Sequence, residues 1–200
     1  MTEIDSPFFV VDGFYAHPNA VVDVANSASF DRSGTYAHFE RTASFFPRNA
    51  IEVFESLLSR KIVIDQSWTA PRKSSSVNGD TFNGTFYRVP RGASPPTHVH
   101  HDARDWIGIV WLGRSASESD GTAFFRHIRT GATMTPYPVA PMGDEATQRD
   151  GADPSKWIQT HFIANRFNRL LLYEGRRYHG ARISHPASRL CQLFTFNLDR

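Results

Sequence analysis

The sequence predicts an α+β chain that is mainly β: a double-stranded β-helix, or jelly roll, with N-terminal helices packed on one sheet. Helical periodicity is confined to residues 1–75, whereas residues 85–198 hold seven or eight short segments with the period of two that is typical of strands. The 16 Phe, 6 Tyr and 4 Trp residues suit a sheet-on-sheet core. We therefore expect a single domain, 1–200, with a strand and helices at 1–75 and a β core at 85–198.

The N-terminal part begins with an apolar strand at 6–15 that ends in the turn-forming pair Asp12-Gly13. A helix is expected at 18–27, where proline stands at the start, and a second at 49–58, where four apolar residues form one stripe. The remaining segments are a loop with a short strand at 33–47, a strand at 61–68 and turns at 74–84.

The β core is expected to contain strands separated by polar turns. The best candidates are 85–89, 97–102, 105–113, 122–128, 169–173, 177–183 and 189–196. Residues 157–162 are ambiguous. Residues 134–153 are rich in Pro, Gly and polar side chains, so we expect a long loop there, at one mouth of the barrel.

Composition excludes several classes of function. The net charge is only +2 and no basic tract is present, so nucleic acid is not an expected partner. The single cysteine, Cys191, excludes an internal disulfide and stands in an apolar run, as a buried, inert thiol does. No apolar run is long enough for a membrane span, and the acidic N-terminus is not a signal peptide. We expect a cytoplasmic protein without membrane contacts, with a homodimer as one open possibility.

A histidine cluster lies within the segment 97–102 (THVHHD). Residues two apart in a strand point to the same face, with Cα atoms roughly 6–7 Å apart, so His100 and Asp102 can reach one metal ion at about 2.0–2.2 Å. One further histidine would complete the two-His-one-carboxylate set of non-haem Fe(II) oxygenases.

The third metal ligand must come from later in the chain, where four histidines follow: His127, His161, His179 and His185. We expect His179, because it lies on a strand-like segment that follows a turn. Ten residues on, Arg189 opens the last strand, and its guanidinium can form a bidentate, charge-assisted pair with the far carboxylate of a dicarboxylate co-substrate. Arg182 is the alternative anion-binding residue.

The ordered set His100-x-Asp102, His179 and Arg189 resembles the pattern of the Fe(II)/2-oxoglutarate-dependent oxygenases. The flanking segments resemble the small, poorly characterised, prolyl-hydroxylase-like branch of that superfamily. They are FFVVDGF at 8–14, FYRV at 86–89, DGTAFF at 120–125 and NRFNRLLLYEGRRYHG at 165–180.

The resemblance implies an oxidoreductase, a dioxygenase whose metal-binding β core holds Fe(II) at His100, Asp102 and His179. It implies that Arg189 and Tyr87 bind the co-substrate 2-oxoglutarate, that O2 is consumed, that succinate and CO2 are released, and that ascorbate serves as an optional reductant. Related halogenases have a small residue at the position of Asp102, so the resemblance implies hydroxylation, here of a small-molecule or amino-acid-like substrate.

Two alternatives stay open at the level of sequence. Gly92, five residues and then His98-Val99-His100 match the start of the first cupin motif, in which case the ligands would be His98, His100 and His179. The other alternative is a non-catalytic jelly-roll domain that binds a ligand or a structural metal. Whether His98 or His101 contacts metal or substrate is also left open.

Overall fold

The computed structural model describes residues 8–31, 39–69, 83–89, 98–114, 117–136, 144–184 and 189–199. Within these residues the elements follow the order β1 Phe8–Asp12, α1 Pro18–Ser27, β2 Glu40–Ser44, α2 Ala50–Leu58, α3 Gln66–Thr69, β3 Thr85–Arg88, β4 Trp106–Trp111, β5 Gly121–His127, α4 Glu145–Asp150, a 3-10 turn Pro154–Lys156, β6 Trp157–Ala164, β7 Arg169–Glu174, β8 His179–Arg182 and β9 Leu190–Phe196.

The strands form two antiparallel sheets. The large sheet has the order β1-β7-β4-β9-β3-β2, and the small sheet has the order β6-β5-β8. A bridge between His100 and His179 adds the segment 98–102 beside β8. From β3 onward the chain passes repeatedly between the two sheets, which is the connectivity of a jelly roll. The predicted fold class is therefore confirmed.

The outer face of the large sheet is covered by the N-terminal helices, as predicted. Alternate residues of β4, β7 and β9 point outward and meet α1 and α2, because side chains along a strand alternate between faces. Phe54 of α2 lies at the centre of this contact: it is fully buried, with its ring 5.0 Å from that of Phe194 and 5.1 Å from that of Phe196.

Replacing Phe54 with alanine is expected to lower the free energy of unfolding by about 3–5 kcal/mol, because it removes a buried ring from a packed layer. Urea denaturation followed by circular dichroism measures this loss. Ile64→Ala, at a side chain that is 58 % exposed, is the control and should change stability by less than about 0.5 kcal/mol. A small loss at Phe54 would mean that the helices contribute little to the core.

A second apolar cluster lies between the two sheets. It contains the inward-facing residues Tyr87, Ile107, Ile109, Trp111, Phe124, Leu171, Tyr173 and Cys191. Cys191 is buried, as predicted, and burial raises the pKa of its thiol, which disfavours the reactive thiolate. A third cluster covers the outer face of the small sheet, where Ala146 of α4 packs with Val99 and Tyr178.

Some local predictions are wrong. The strand expected at 61–68 is instead a single bridge at Ile62 followed by α3, because the Asp65 side chain accepts the amide of Ser67 at 2.8 Å and starts a helical turn. The loop expected at 134–153 contains α4, which begins at Asp144 through the same kind of capping bond. The ambiguous segment 157–162 belongs to β6.

Several predicted features fall outside the described residues: the turns at 74–82, Gly92 and His185. In the part of the chain that is described, none of the helices has the length and apolar character that crossing a bilayer requires.

Candidate metal centre

The two segments that carry the predicted ligands lie side by side. The amide of His100 donates to the carbonyl of His179 at 2.9 Å, and the amide of His179 donates to the carbonyl of His100 at 2.9 Å. The amide of Asp102 donates to the carbonyl of Gly175 at 2.7 Å. A Cβ at Gly175 would stand 2.1 Å from the carbonyl oxygen of Arg104, so the turn before β8 requires glycine. Backbone pairing thus brings together residues 79 positions apart in the sequence.

The three predicted ligands share the inner face of the small sheet. The His179 ring lies 4.8 Å from that of Tyr173, which belongs to the large sheet, and 6.4 Å from that of Phe124. Intervening residues such as Val99 and Tyr178 point the other way, into the cluster on the outer face. The period of two that singled out His100 and Asp102 in the sequence therefore holds in the structure.

The donor atoms of His100, Asp102 and His179 all lie within 4.8 Å of one another. Nε2 of His179 lies 3.3 Å from Oδ2 of Asp102. Bonds of 2.0–2.2 Å to one metal hold neighbouring ligand atoms about 3 Å apart, so a small inward movement completes the set. His179 is buried, whereas His100 and Asp102 are half-buried, so the centre is accessible from their side.

Backbone carbonyls orient both imidazoles. Nδ1 of His100 lies 3.0 Å from the carbonyl oxygen of His98, and Nδ1 of His179 lies 2.8 Å from the carbonyl oxygen of Arg177. A carbonyl oxygen only accepts, so each Nδ1 carries the proton and each Nε2 keeps a free lone pair. A hydrogen bond from the ring nitrogen that does not bind the metal is the usual means of orienting a metal-binding histidine.

The electrostatics of the site favour a cation. Burial and the neighbouring His179 lower the pKa of His100 to about 4. Burial alone would raise the pKa of Asp102, but the neighbouring His179, His100 and His101 hold it below its ordinary value. At neutral pH His100 is therefore neutral and Asp102 is ionised, so both can bind a metal without losing a proton.

Arg189 is buried in the same interior, with 3 % of its surface exposed. Nη2 donates to the hydroxyl of Tyr87 at 3.1 Å and Nη1 to the carbonyl of Gly121 at 3.4 Å, while Nε has no hydrogen-bond partner among the described residues. Burial disfavours its charge, yet Tyr87 and Cys191 keep the pKa of Arg189 above its ordinary value. No carboxylate lies within ion-pair distance of it in the described part of the chain.

Thr122 is a candidate that the sequence did not reveal. It shares the inner face of β5 with Phe124, and its buried hydroxyl has no hydrogen-bond partner among the residues described. It stands beside Gly121, which contacts Arg189, whereas Phe124 is paired with His179. Three residues of strand, about 10 Å, thus separate Gly121, which contacts Arg189, from Phe124, which is paired with His179. A lone threonine in a strand of apolar residues carries no signal of such a role.

Other residues considered from the sequence lie elsewhere. The His98 side chain is exposed and is not in the ligand group, so the ligand set of the cupin alternative is not brought together. His127 is fully buried and bonds to Asp150 at 2.9 Å. His161 lies on β6 against Phe8. Arg182 is exposed at the end of β8, unlike Arg189.

Comparison with solved structures identifies the fold. The non-haem alpha-ketoglutarate-dependent epimerase SnoN from nogalamycin biosynthesis superposes with a TM-score of 0.51 at 12% identity, over 94% of this chain and 76% of SnoN. HygX from Streptomyces hygroscopicus, solved with nickel and 2-oxoglutarate, gives 0.49 at 14% identity, over 96% and 82% of the two chains. A Pseudomonas putida prolyl-4-hydroxylase gives 0.48 at 13% identity, over 96% and 92%. The likeness to SnoN shows that the two chains share a fold.

Comparison of sequences is less informative about function. No curated protein matches the chain significantly. A family model matches residues 93–192, which is half of the chain and includes all three predicted metal ligands and Arg189. The chain therefore belongs to DUF6445, a family of unknown function.

Proposed function

We propose that the chain is an Fe(II)- and 2-oxoglutarate-dependent dioxygenase of the hydroxylase type, which acts on a small-molecule or amino-acid-like substrate. The observation that carries this proposal is the presence, in one interior, of a His-Asp-His donor set and a buried arginine with an unpaired Nε among the described residues. A structural metal would require the donor set alone. A co-substrate that binds the metal at one end and has a carboxylate at its other end requires both the donor set and the arginine.

The donor set fits iron. Two imidazoles and one carboxylate on a single side are the ligands of non-haem Fe(II) oxygenases, which keep further coordination positions open. Structural zinc sites use four protein ligands, and the described residues supply three. The half-exposed His100 and Asp102 leave the remaining side accessible to small ligands.

The surroundings of Arg189 fit 2-oxoglutarate. A buried guanidinium is costly without an anion, and a carboxylate near Nε would compensate for that cost. Burial raises the pKa of Tyr87, so its hydroxyl stays protonated and can donate. Thr122, whose buried hydroxyl has no partner among the described residues, lies on β5 between Gly121, which contacts Arg189, and Phe124, which is paired with His179. The distance of about 10 Å along β5 suits a five-carbon dicarboxylate that reaches both.

When bound, iron and 2-oxoglutarate supply the oxidation, in which decarboxylation to succinate and CO2 is coupled to the transfer of one oxygen atom of O2 to the substrate. The chain's own residues bind and orient these groups. Neutral His100 and ionised Asp102 offer lone pairs at neutral pH. Phe124 and Tyr173 pack around His179 and exclude water from its buried side.

Anaerobic titration tests the proposal. Fe(II) followed by 2-oxoglutarate should give the weak visible charge-transfer band of a 2-oxo acid chelated to ferrous iron, and admission of air should yield succinate. Glutarate, which lacks the keto group, is the control and should give no band. A protein that is loaded with iron but shows neither the band nor succinate would contradict the proposal.

The same titration addresses the non-catalytic alternative, since a ligand-binding domain would give the band without succinate. The substrate, the homodimer and the cytoplasmic location stay predictions.

A further inference from the structure

The insertion between β5 and β6 lies against the outer side of the metal site. Its helix, α4, is anchored at the C-terminal end: the Asp150 carboxylate lies 2.9 Å from Nε2 of His127, and its carbonyl accepts from Nε1 of Trp157 at 2.8 Å. Just beyond, the carbonyl of Gly151 accepts the amide of Val99 at 2.8 Å. The ligand-bearing segment 98–102 is thus held between β8 and this insertion.

At the other end of α4, Asp144 forms hydrogen bonds to both ligand-bearing segments. Its amide donates to Nε2 of His101 at 3.1 Å, and its carboxylate accepts from the hydroxyl of Tyr178. The same carboxylate accepts the amide of Thr147 at 2.9 Å and so caps the helix. His101 stands between two predicted ligands, and Tyr178 directly precedes the third, His179.

These contacts are made on the side of the strands that faces away from the metal. His101 and Tyr178 are 9 % and 2 % exposed, and the Tyr178 ring packs 5.0 Å from that of Trp157. The Tyr178 hydroxyl donates to the Asp144 carboxylate, and a hydrogen bond to a carboxylate is stronger than one between neutral groups.

We propose that Asp144 is a positioning residue for the metal site, which fixes the separation of the segments that carry His100, Asp102 and His179 by connecting His101 to Tyr178. This inference rests on the proposed metal-binding function. The link through Asp144 matters because direct pairing of the two segments is short. Among the described residues they share one β-bridge, at His100 and His179.

Loss of the Asp144–Tyr178 bond should lower the affinity for metal. The three donor atoms lie at up to 4.8 Å and must come closer to bind one ion. Without the Asp144–Tyr178 bond the two segments can move apart, and each metal-binding event must then restore their spacing. Outer partners of metal ligands typically contribute 10- to 100-fold to metal affinity, so losing the Asp144–Tyr178 bond should weaken binding about 10-fold.

Two variants remove this bond by different routes. Asp144→Ser keeps a cap for α4, because serine can accept the amide of Thr147, but it is too short to reach Tyr178. Tyr178→Phe keeps the packing on Trp157 and removes the hydroxyl. Each should raise the dissociation constant for Co(II) about 10-fold. The double variant should be no weaker than either single one, because both remove the same bond.

Matched controls separate positioning from general damage to the insertion. Asp153→Ala removes a cap of the same kind, the bond from Ser155 at 2.9 Å, at a residue that contacts neither ligand segment, and should leave Co(II) affinity unchanged. Asp144→Asn keeps the cap and a group that can bond the phenol, and should restore affinity to near that of the wild type. The visible spectrum of bound Co(II) should shift in Asp144→Ser and Tyr178→Phe alone.

Hydrogen exchange of the metal-free protein gives a readout that is independent of metal binding. Amides of 98–102 and 177–182 should exchange faster in Asp144→Ser and Tyr178→Phe than in the wild type or Asp153→Ala. Unchanged exchange and affinity in both variants, or an equal effect of Asp153→Ala, would overturn the proposal. If the wild type binds no Co(II), the proposed function fails, and the exchange rates alone then decide whether Asp144 holds the segments together.

Discussion

Replacing Asp102 with alanine is expected to lower the affinity for Fe(II) by more than about 100-fold, since changes to outer partners alone cost 10- to 100-fold. The substitution removes the only anionic donor of the group among the described residues, and two neutral imidazoles hold a divalent cation poorly. Competition against a coloured chelator under anaerobic conditions measures the affinity, with Mn(II) or Co(II) as an air-stable replacement.

The matched control for this prediction is His98→Ala. The His98 side chain is exposed and is not in the ligand group, and its carbonyl oxygen lies 3.0 Å from Nδ1 of His100. The variant should therefore bind iron as the wild type does. The opposite result, with iron lost in His98→Ala and kept in Asp102→Ala, would favour the cupin ligand set of His98, His100 and His179. Thermal unfolding of the metal-free proteins checks that neither variant has lost its fold.

Local patterns underlie several of the predictions made from the sequence. The pairing of His100 with Asp102 needs only the period of a strand, and α2 needs only its apolar stripe around Phe54. The assignment of His179 went further, because it joined residues 79 positions apart, and it depended on a strand-like segment after a turn and on a family resemblance. The burial of Arg189 between the sheets is likewise a property of the folded chain.

The features that the sequence missed depend on contacts made after folding. Asp65 begins a short helix where apolar residues predicted a strand, because its side chain captures a backbone amide. Asp144 and Thr122 carry no local signal. Asp144 matters because it bonds to Tyr178, which is 34 residues away in the sequence. Thr122 matters because it stands beside Gly121, which bonds to Arg189. Single polar residues within a Pro- and Gly-rich segment or an apolar strand cannot be told from ordinary surface or core residues.

Replacing Arg189 with methionine is expected to weaken binding of 2-oxoglutarate at least about 30-fold, because removing one partner of a buried, hydrogen-bonded charge pair costs roughly 2–5 kcal/mol. Titration of the charge-transfer band gives the dissociation constant, and succinate formation gives the KM. Both should rise, while Fe(II) affinity stays unchanged, since Arg189 bonds to Tyr87 and Gly121 and to no predicted metal ligand.

The stability of Arg189→Met separates a binding role from a structural one. In the absence of 2-oxoglutarate the buried guanidinium lacks a carboxylate partner among the described residues, so an apolar side chain of similar length should leave the melting temperature unchanged or raise it. Arg182→Met, at an exposed position on β8, is the control and should bind 2-oxoglutarate normally. A variant at Arg189 that unfolds more easily and still binds 2-oxoglutarate would show that the arginine only supports the fold. Loss of 2-oxoglutarate binding in Arg182→Met instead would place the co-substrate near Arg182, at the end of β8.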